Sequence, residues 1–336
     1  MKLKGFILLF IGLLSVGIFT FYSYHESVPL PKAESEPDLG RLESSKKDNL
    51  EPENSVNDKA KTAHVTHEEK IPYDGEWCMI SADLTEKDQQ FAMNELSEWN
   101  VIRGNLILSG GEAMRAYSEA NGAHYLEPYR EMSLDNLRHA VKNDDRFAMI
   151  SALQRFDVSL VEKDAIADRL LIIDSNKFSL LHKVNREIGR AVSLYENNES
   201  NKILIKDSIK NALVYSQYGL KSYDISPMRM LLTMIKEELP RDYLPSTILS
   251  SKDIVDINRR VDVLSEQLDD ERTKEGFQVL SNIDIPKIAK HWFNMELGVL
   301  YIEHEQELKY LSALDTDGRA SLKPNECTEQ YVGSYR

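Results

Sequence analysis

Histidine and carboxylate side chains lie close together at two places in the sequence, and such groups can bind a metal ion. His64, His67 and Glu68 stand in a polar segment interrupted by prolines, which offers no packed shell to orient them. His304 has acidic neighbours but lacks the second histidine of the His-Glu-x-x-His arrangement, which presents both imidazoles on one helical face. Neither place predicts a metal site.

A third acidic motif, Asp315-x-Asp317-Gly318, is similar to part of a calcium-binding loop. Aligning Gly318 with the invariant glycine of that loop puts Ala313 at the first ligand position and Pro324 at the last. Neither side chain can supply an oxygen ligand, so the motif predicts no calcium site.

Catalytic motifs based on a nucleophile or a bound phosphate are also missing from the sequence. There is no Gly-x-Ser-x-Gly turn and no glycine-rich phosphate loop, and Ser44 with Lys47 forms Ser-x-x-Lys only within the polar segment. Carboxylates are plentiful, but no pair is marked out for acid-base work. The sequence therefore predicts no cofactor and no catalytic residue, and an envelope enzyme with dispersed carboxylates is kept as an alternative.

The two cysteines, Cys78 and Cys327, stand near the two ends of the predicted folded region. In an oxidising compartment they can form one disulfide that ties the first and last elements together. Two separate buried thiols are the alternative, since sequence does not measure the distance between them.

The formal net charge of −14 bears on the choice of partner. Binding to nucleic acid phosphates requires a basic face, and no basic stripe is visible, so a nucleic acid partner is not expected. The same charge argues against adsorption to anionic lipid.

An apolar run near the start of the chain predicts a membrane segment, residues 1–25. Lys2 and Lys4 precede an uninterrupted run from Gly5 to Tyr22, close to the ~20 residues that cross a bilayer. The leading lysines predict that the start lies inside and the remainder outside, in the periplasm of a Gram-negative bacterium. A cleaved signal peptide is the alternative, but bulky aromatic residues occupy most of its cleavage zone.

The remaining chain divides by composition into a tether and an all-α region. Residues 26–76 are rich in charged residues and proline and are predicted to be a disordered acidic linker. From Trp77 onward apolar residues recur at helical spacing, with start signals at Ser133 and at Asp144-Asp145. One helix is predicted from Asp164 to Ile173, and residues 315–336 are predicted to be a loop tail.

Residues 77–249 show a repeated texture of helices separated by short polar breaks. The segment Asp144 to Phe156 places Ala148 and Ala152 one turn apart, and the stretch that follows, up to Val184, repeats the arrangement with Ala165. These two hairpins resemble the Sel1-like branch of the tetratricopeptide-type helical repeats, although the glycine that separates hairpins in that family is missing. The resemblance implies an irregular, α-solenoid-like stack that binds a partner.

Residues 250–314 are predicted to be C-terminal helices that pack on this stack. One of them carries a narrow apolar seam flanked by charged residues, at Ile254, Ile257, Val261, Leu264 and Leu268. The seam predicts a helix that caps the last repeat, and a helix that pairs two copies of the chain is the alternative.

The function predicted is that of a membrane-anchored, exported scaffold or adaptor. Its partner is a protein or another envelope component, and the candidate contact residues are Tyr195, Tyr215, Tyr218 and Tyr223. Tyrosine offers contact area at low entropic cost, which suits a binding groove. The alternative for these rings is that they fill the spaces between helices.

Overall fold

The computed structural model describes residues 86–106, 125–174, 177–197, 201–280, 283, 285–314 and 320–335. These residues are all-α and contain no strand, which confirms the predicted all-α character of this region. The predicted membrane segment, residues 1–25, and the linker, residues 26–76, lie outside this part of the chain. Within the described part, no helix combines the length and the apolarity that a membrane crossing requires.

Twelve α-helices are present in the described ranges, together with a short 3-10 helix at Arg241–Tyr243. The α-helices are α1 Glu86–Ile102, α2 Glu127–Arg130, α3 Leu134–Lys142, α4 Arg146–Gln154, α5 Leu160–Ile173, α6 Lys177–Asn197, α7 Lys202–Lys221, α8 Ser226–Glu238, α9 Pro245–Ile248, α10 Ser251–Glu275, α11 Lys287–Leu311 and α12 Glu326–Tyr335. All of them belong to one compact unit, His67–Arg336.

Side-chain caps set the starts of the early helices. The Ser133 hydroxyl accepts a hydrogen bond from the backbone N–H of Asn136 at the start of α3, and Asp145 accepts from two backbone N–H groups at the start of α4. Helix α5 begins at Leu160, four residues before the predicted start at Asp164. The reason is a capping box in which Ser159 and Glu162 satisfy each other's backbone N–H groups.

Helices α3 to α8 pack consecutively, each against the next along the chain. The connections are short, so neighbouring helices run in opposite directions. It follows that α5 and α7 begin at the same end of this series. Helix α10 lies across both of them, and α11 packs on α1, α8, α9 and α12.

The apolar seam of α10 faces the inside of the molecule. Ile254, Ile257, Val261 and Leu268 belong to the main core, and Leu264 packs against that core. A second apolar cluster joins α3, α4 and the second half of α5 around Leu137, Ile150 and Ala167. The seam is thus used within the chain, to fix α10 onto the helices that precede it.

The prediction of a loop tail at residues 315–336 is wrong for its last part, because α12 forms a helix over Glu326–Tyr335. The carboxamide of Asn325 accepts hydrogen bonds from the backbone N–H and the hydroxyl of Thr328, and this cap begins the helix. The helix packs closely on α11, because a Cβ atom placed on Gly298 would lie only 2.8 Å from the Cβ of Tyr331. Short polar stretches such as this one carry a weak periodic signal, and tertiary contacts supply the missing stability.

Candidate functional site

Three apolar side chains stand exposed where α4 turns into α5. Phe156 is 94 % exposed, Leu160 69 % and Val161 78 %. We call these three residues the apolar corner. Apolar residues of this size are usually found inside, and a cluster of them on the surface is typical of a contact site for another molecule.

The connection between the two helices holds the apolar corner in place at both ends. On the α4 side, Arg155 has extended backbone geometry, and its Nη1 donates to the Met132 carbonyl oxygen at 2.5 Å. On the α5 side, the hydroxyl of Ser159 donates to Glu162 Oε2 at 2.8 Å within the capping box. Because both ends are fixed, the exposed side chains sit on a defined support.

The apolar corner lies outside the part of α5 that packs in the core. The buried residues of α5 are Ile166, Ala167, Leu170 and Leu171, in its second half. Val161 lies on the outward face with Ala165 and Asp168, which are also exposed. The three corner side chains therefore do little for the stability of the fold.

Charged side chains around the apolar corner are paired with each other. Arg138 Nε lies 2.7 Å from Glu162 Oε1, and Arg155 Nη2 lies 2.6 Å from Asp157 Oδ2. Hydrogen bonds from Arg138 and Ser159 lower the pKa of Glu162 to about 2, and the Arg155 guanidinium lowers the pKa of Asp157. An apolar centre inside a rim of compensated charges has the composition of a small protein interface.

A second exposed apolar pair lies at the same end of the helix series. Ile203 and Leu204, in the first turn of α7, are 83 % and 46 % exposed. Since α5 and α7 begin at the same end, this pair and the apolar corner lie at the same end of the series.

The four tyrosines predicted to contact a partner occupy different environments. Tyr218 and Tyr223 are buried members of the main core, and the Tyr223 ring packs edge-on against Phe293 with centroids 5.7 Å apart. Tyr195 and Tyr215 are partly buried and pack against the same core. The Tyr195 ring contacts Tyr243 edge-on, with centroids 5.5 Å apart. Of the four, only Tyr195 and Tyr215 keep appreciable surface for a partner.

Of the two cysteines, the structure describes Cys327, which is buried and disulfide-bonded. It lies in the first turn of α12, and Cys78 lies outside the described residues. The pairing of Cys327 with Cys78 stays a prediction.

Metal-ligating groups do not come together in the described part of the chain, which contains no cluster of three or more histidine, cysteine, aspartate or glutamate side chains arranged to hold an ion. His304 is buried inside α11. Burial lowers its pKa to about 4, and the nearby cations Lys236 and Arg229 act in the same direction. The imidazole is therefore neutral at physiological pH. His64, His67 and the motif at Asp315 lie outside the described residues.

The apolar corner is the feature that sequence reasoning missed. A signal for it exists: Leu160 and Val161 directly follow the capping serine, ahead of the residues that carry the buried face of α5. Recognising the capping box would have placed both residues in the first turn of the helix. Their exposure depends on where the neighbouring helices end, which a single sequence does not give.

Comparison with protein-family models, curated proteins and solved structures finds no match for this chain. What defines its class is the all-α fold itself, with consecutively packed helices and an exposed apolar corner. The apolar corner is therefore the feature that bears on function.

Proposed function

We propose that this chain is a membrane-anchored, exported helical adaptor that binds a protein partner through the apolar corner. The observation that carries the proposal is the exposure of Phe156, Leu160 and Val161 on a support fixed at both ends. Side chains that add little to the stability of the fold are available for recognition.

The architecture we propose is an irregular, α-solenoid-like stack of helical hairpins, closed by the C-terminal helices. The consecutive packing of α3 to α8 supports this description, and so does the placement of α10 across the stack. Ala148 and Ala152 are buried in α4, where small side chains allow close approach of the next helix, as the resemblance to Sel1-like repeats implies. Stacks of this kind bind partners along exposed edges and grooves.

The partner we propose presents an uncharged, apolar protein segment, such as the apolar face of an amphipathic helix. Arg138 is paired with Glu162 and Arg155 with Asp157, so these four charges at the rim compensate one another and favour no strongly charged partner. The apolar centre is small, and a few inserted side chains would cover it. The contact is then held by burial of apolar area, with Phe156 as its main anchor.

The anchor and the export direction rest on the sequence alone, on Lys2, Lys4 and the apolar run that follows them. A reporter enzyme that works only in the periplasm, fused after Arg336, tests both. Activity of the fusion in the membrane fraction supports the anchored topology. Activity only in a soluble fraction indicates cleavage, and an inactive, stable fusion contradicts export.

The binding proposal is tested by crosslinking from the apolar corner in cells that make the full chain. A benzophenone-bearing phenylalanine analogue replaces Phe156, and the same analogue replaces the exposed Gln267 on α10 as the matched control. The expected result is one protein adduct from position 156 that is missing from position 267. The same adduct must disappear when Leu160→Asp and Val161→Asp are added to the chain.

Each other outcome of this experiment contradicts the proposal. An adduct that survives the two aspartate substitutions shows that contact does not depend on the apolar corner. Adducts that are equal at the two positions show non-specific contact. An adduct with a second copy of the chain indicates pairing, and labelling of lipid alone indicates that the corner contacts the bilayer.

A further inference from the structure

A small cavity lies near the end of α1, between this helix and three other parts of the chain. Its polar side is formed by Trp99 and Arg103 from the end of α1, Asp174 after α5, and Ser222 after α7. The remainder of its lining is aliphatic, with Leu280 on the side of the segment between α10 and α11. The cavity therefore joins segments that are distant in sequence.

Trp99 lines this cavity, and its indole N–H is a buried donor. Trp99 is only 3 % exposed, and its Nε1 has no hydrogen-bond partner among the described residues. Leaving a buried donor unsatisfied costs about 1–3 kcal/mol, so nearly all such groups in folded proteins have a partner. A donor of this kind beside a cavity points to an occupant that accepts its hydrogen bond.

The size of the cavity restricts the occupant to one water molecule. About 10 Å³ is free for the centre of a water-sized molecule, which is close to the least that a single water needs. No larger ligand fits unless the aliphatic wall moves.

The polar groups around the cavity suit a water better than an anion. Arg103 directs its Nε and Nη2 at the carboxamide oxygen of Asn100, at 3.1 and 2.9 Å. The Asp174 carboxylate, held by Arg146 Nη2 at 3.0 Å, would repel an anion but accept a hydrogen bond from water. A water in the cavity can accept a hydrogen bond from the Trp99 indole and donate one to the Asp174 carboxylate, which also lines the cavity.

We propose that this cavity is a binding site for one internal water, which links the end of α1 to the connection between α5 and α6. The water extends an existing set of contacts at the same place. Arg146 Nη2 donates to the Val101 carbonyl oxygen at 2.5 Å, and the backbone N–H of Lys177 donates to the Arg103 carbonyl oxygen at 3.3 Å. The site thus helps to fix the first described helix on the body of the protein, independently of any partner.

The test is the detection of a long-lived water at the Trp99 indole in the full-length protein. The indole N–H resonance is assigned from its loss in Trp99→Phe, with Trp292→Phe as the matched control that leaves it in place. The expected result is a cross-relaxation signal from a slowly exchanging water to the Trp99 Hε1 proton. A crystal structure of the full chain should show the same water within hydrogen-bond distance of Trp99 Nε1 and an Asp174 carboxylate oxygen.

Two results overturn the proposal. One is an indole proton protected from exchange without any signal from bound water. The other is a crystal structure in which Trp99 Nε1 bonds directly to a protein group. The crystal structure is that of the unsubstituted protein, so the second result stands even if Trp99→Phe does not fold.

Discussion

The guanidinium of Arg272 donates two hydrogen bonds to the carbonyl oxygen of Leu171, from Nε at 3.2 Å and from Nη2 at 2.8 Å. Its Nη1 donates to the carbonyl oxygen of Gln278 at 3.1 Å. Arg272 is 1 % exposed and lies near the end of α10, whereas Leu171 lies in the last turn of α5. One buried cation therefore satisfies a carbonyl group in the last turn of α5 and another in the segment after α10, and it fixes α10 to α5.

We expect Arg272→Met to lower the free energy of unfolding by about 3 kcal/mol, because it leaves the Leu171 and Gln278 carbonyls buried without their donors. Arg259→Met is the matched control, since Arg259 lies on the same helix with 67 % of its side chain exposed and pairs only with Asp256 in the described contacts. This control should cost less than about 1 kcal/mol. Urea unfolding of both variants measures the difference, and equal losses would contradict the role of Arg272.

Two glycines in helices predict opposite effects of the same substitution. Gly298→Ala would place a Cβ atom 2.8 Å from the Cβ of Tyr331, so α12 must move, and we expect a loss of about 1–3 kcal/mol of stability. Gly189→Ala on the exposed side of α6 meets nothing within 4 Å and should add about 0.5–1 kcal/mol. Thermal unfolding compares the two variants. A stabilising Gly298→Ala would contradict the close packing of α11 and α12.

The buried His304 predicts loss of stability in mild acid. Its pKa in the folded protein is lowered to about 4 by burial, then by Lys236 and Arg229, while its pKa in the unfolded chain is about 6.5. The unfolded state binds the proton first, so this contribution is fully present above about pH 6.5 and is lost as the pH falls to about 4. The slope of the free energy of unfolding against pH is measured by urea unfolding at pH values from about 7.5 to about 4.5, which cover most of this window.

His304→Gln should reduce that slope by about half, because burial also lowers the pKa of His182 to about 4 and this histidine contributes in the same window. His139→Gln, at an exposed position in α3, is the control. Carboxylates do not explain the same window. The pKa of Asp256 is lowered to about 2 by hydrogen bonds from Lys210 and Arg259, so its contribution is lost only below about pH 4. An unchanged slope in His304→Gln would show that another group binds the proton.

How far the sequence predicts this structure differs between elements. The capping signals at Ser133 and Asp145 give the starts of α3 and α4, and the seam from Ile254 to Leu268 gives the inward face of α10. These features are local, and residues within one turn decide them. The all-α class follows from the same local patterns.

Features that depend on distant parts of the chain were not predictable. Arg272 lies among acidic residues, a pattern typical of a solvated helix face. It is nevertheless buried, where it donates to the Leu171 carbonyl oxygen at the end of α5. The backbone of His304 departs from helical geometry, with φ −139° and ψ 32°, although no proline or glycine marks the place. For the candidate site, the apolar residues are visible in the sequence, but their exposure is not.

The disulfide-bonded Cys327 predicts a strong dependence of stability on redox conditions. If its partner is Cys78, as the sequence predicts, the closed loop spans most of the folded chain, and the bond contributes about 4–5 kcal/mol in the chain-entropy model. We expect Cys78→Ser and Cys327→Ser to lower the free energy of unfolding equally. Reductant should lower the free energy of unfolding of the unsubstituted protein to about the value of the variants. It should leave the free energy of unfolding of both variants unchanged. A loss in only one of the two variants, or dimers on a non-reducing gel, would contradict an intramolecular bond.

Substitutions in the apolar corner should abolish partner binding and leave the stability of the fold nearly unchanged. Replacing Phe156, Leu160 and Val161 together by serine should change the free energy of unfolding by no more than about 0.5 kcal/mol per site, because these side chains are mostly exposed. Leu170→Ser, at a fully buried position of α5, should cost about 3 kcal/mol. The triple variant should nevertheless lose its affinity for the isolated partner, measured without a crosslinker.

Salt dependence then distinguishes an apolar contact from an ionic one. The charges at the rim of the apolar corner are already paired within the chain, Arg138 with Glu162 and Arg155 with Asp157. Raising the ionic strength screens exposed charges but leaves apolar burial intact, so the affinity for the isolated partner should change little. A steep fall of affinity with salt would show that unpaired charges elsewhere on the surface make the contact, and the apolar corner would then not be the binding site.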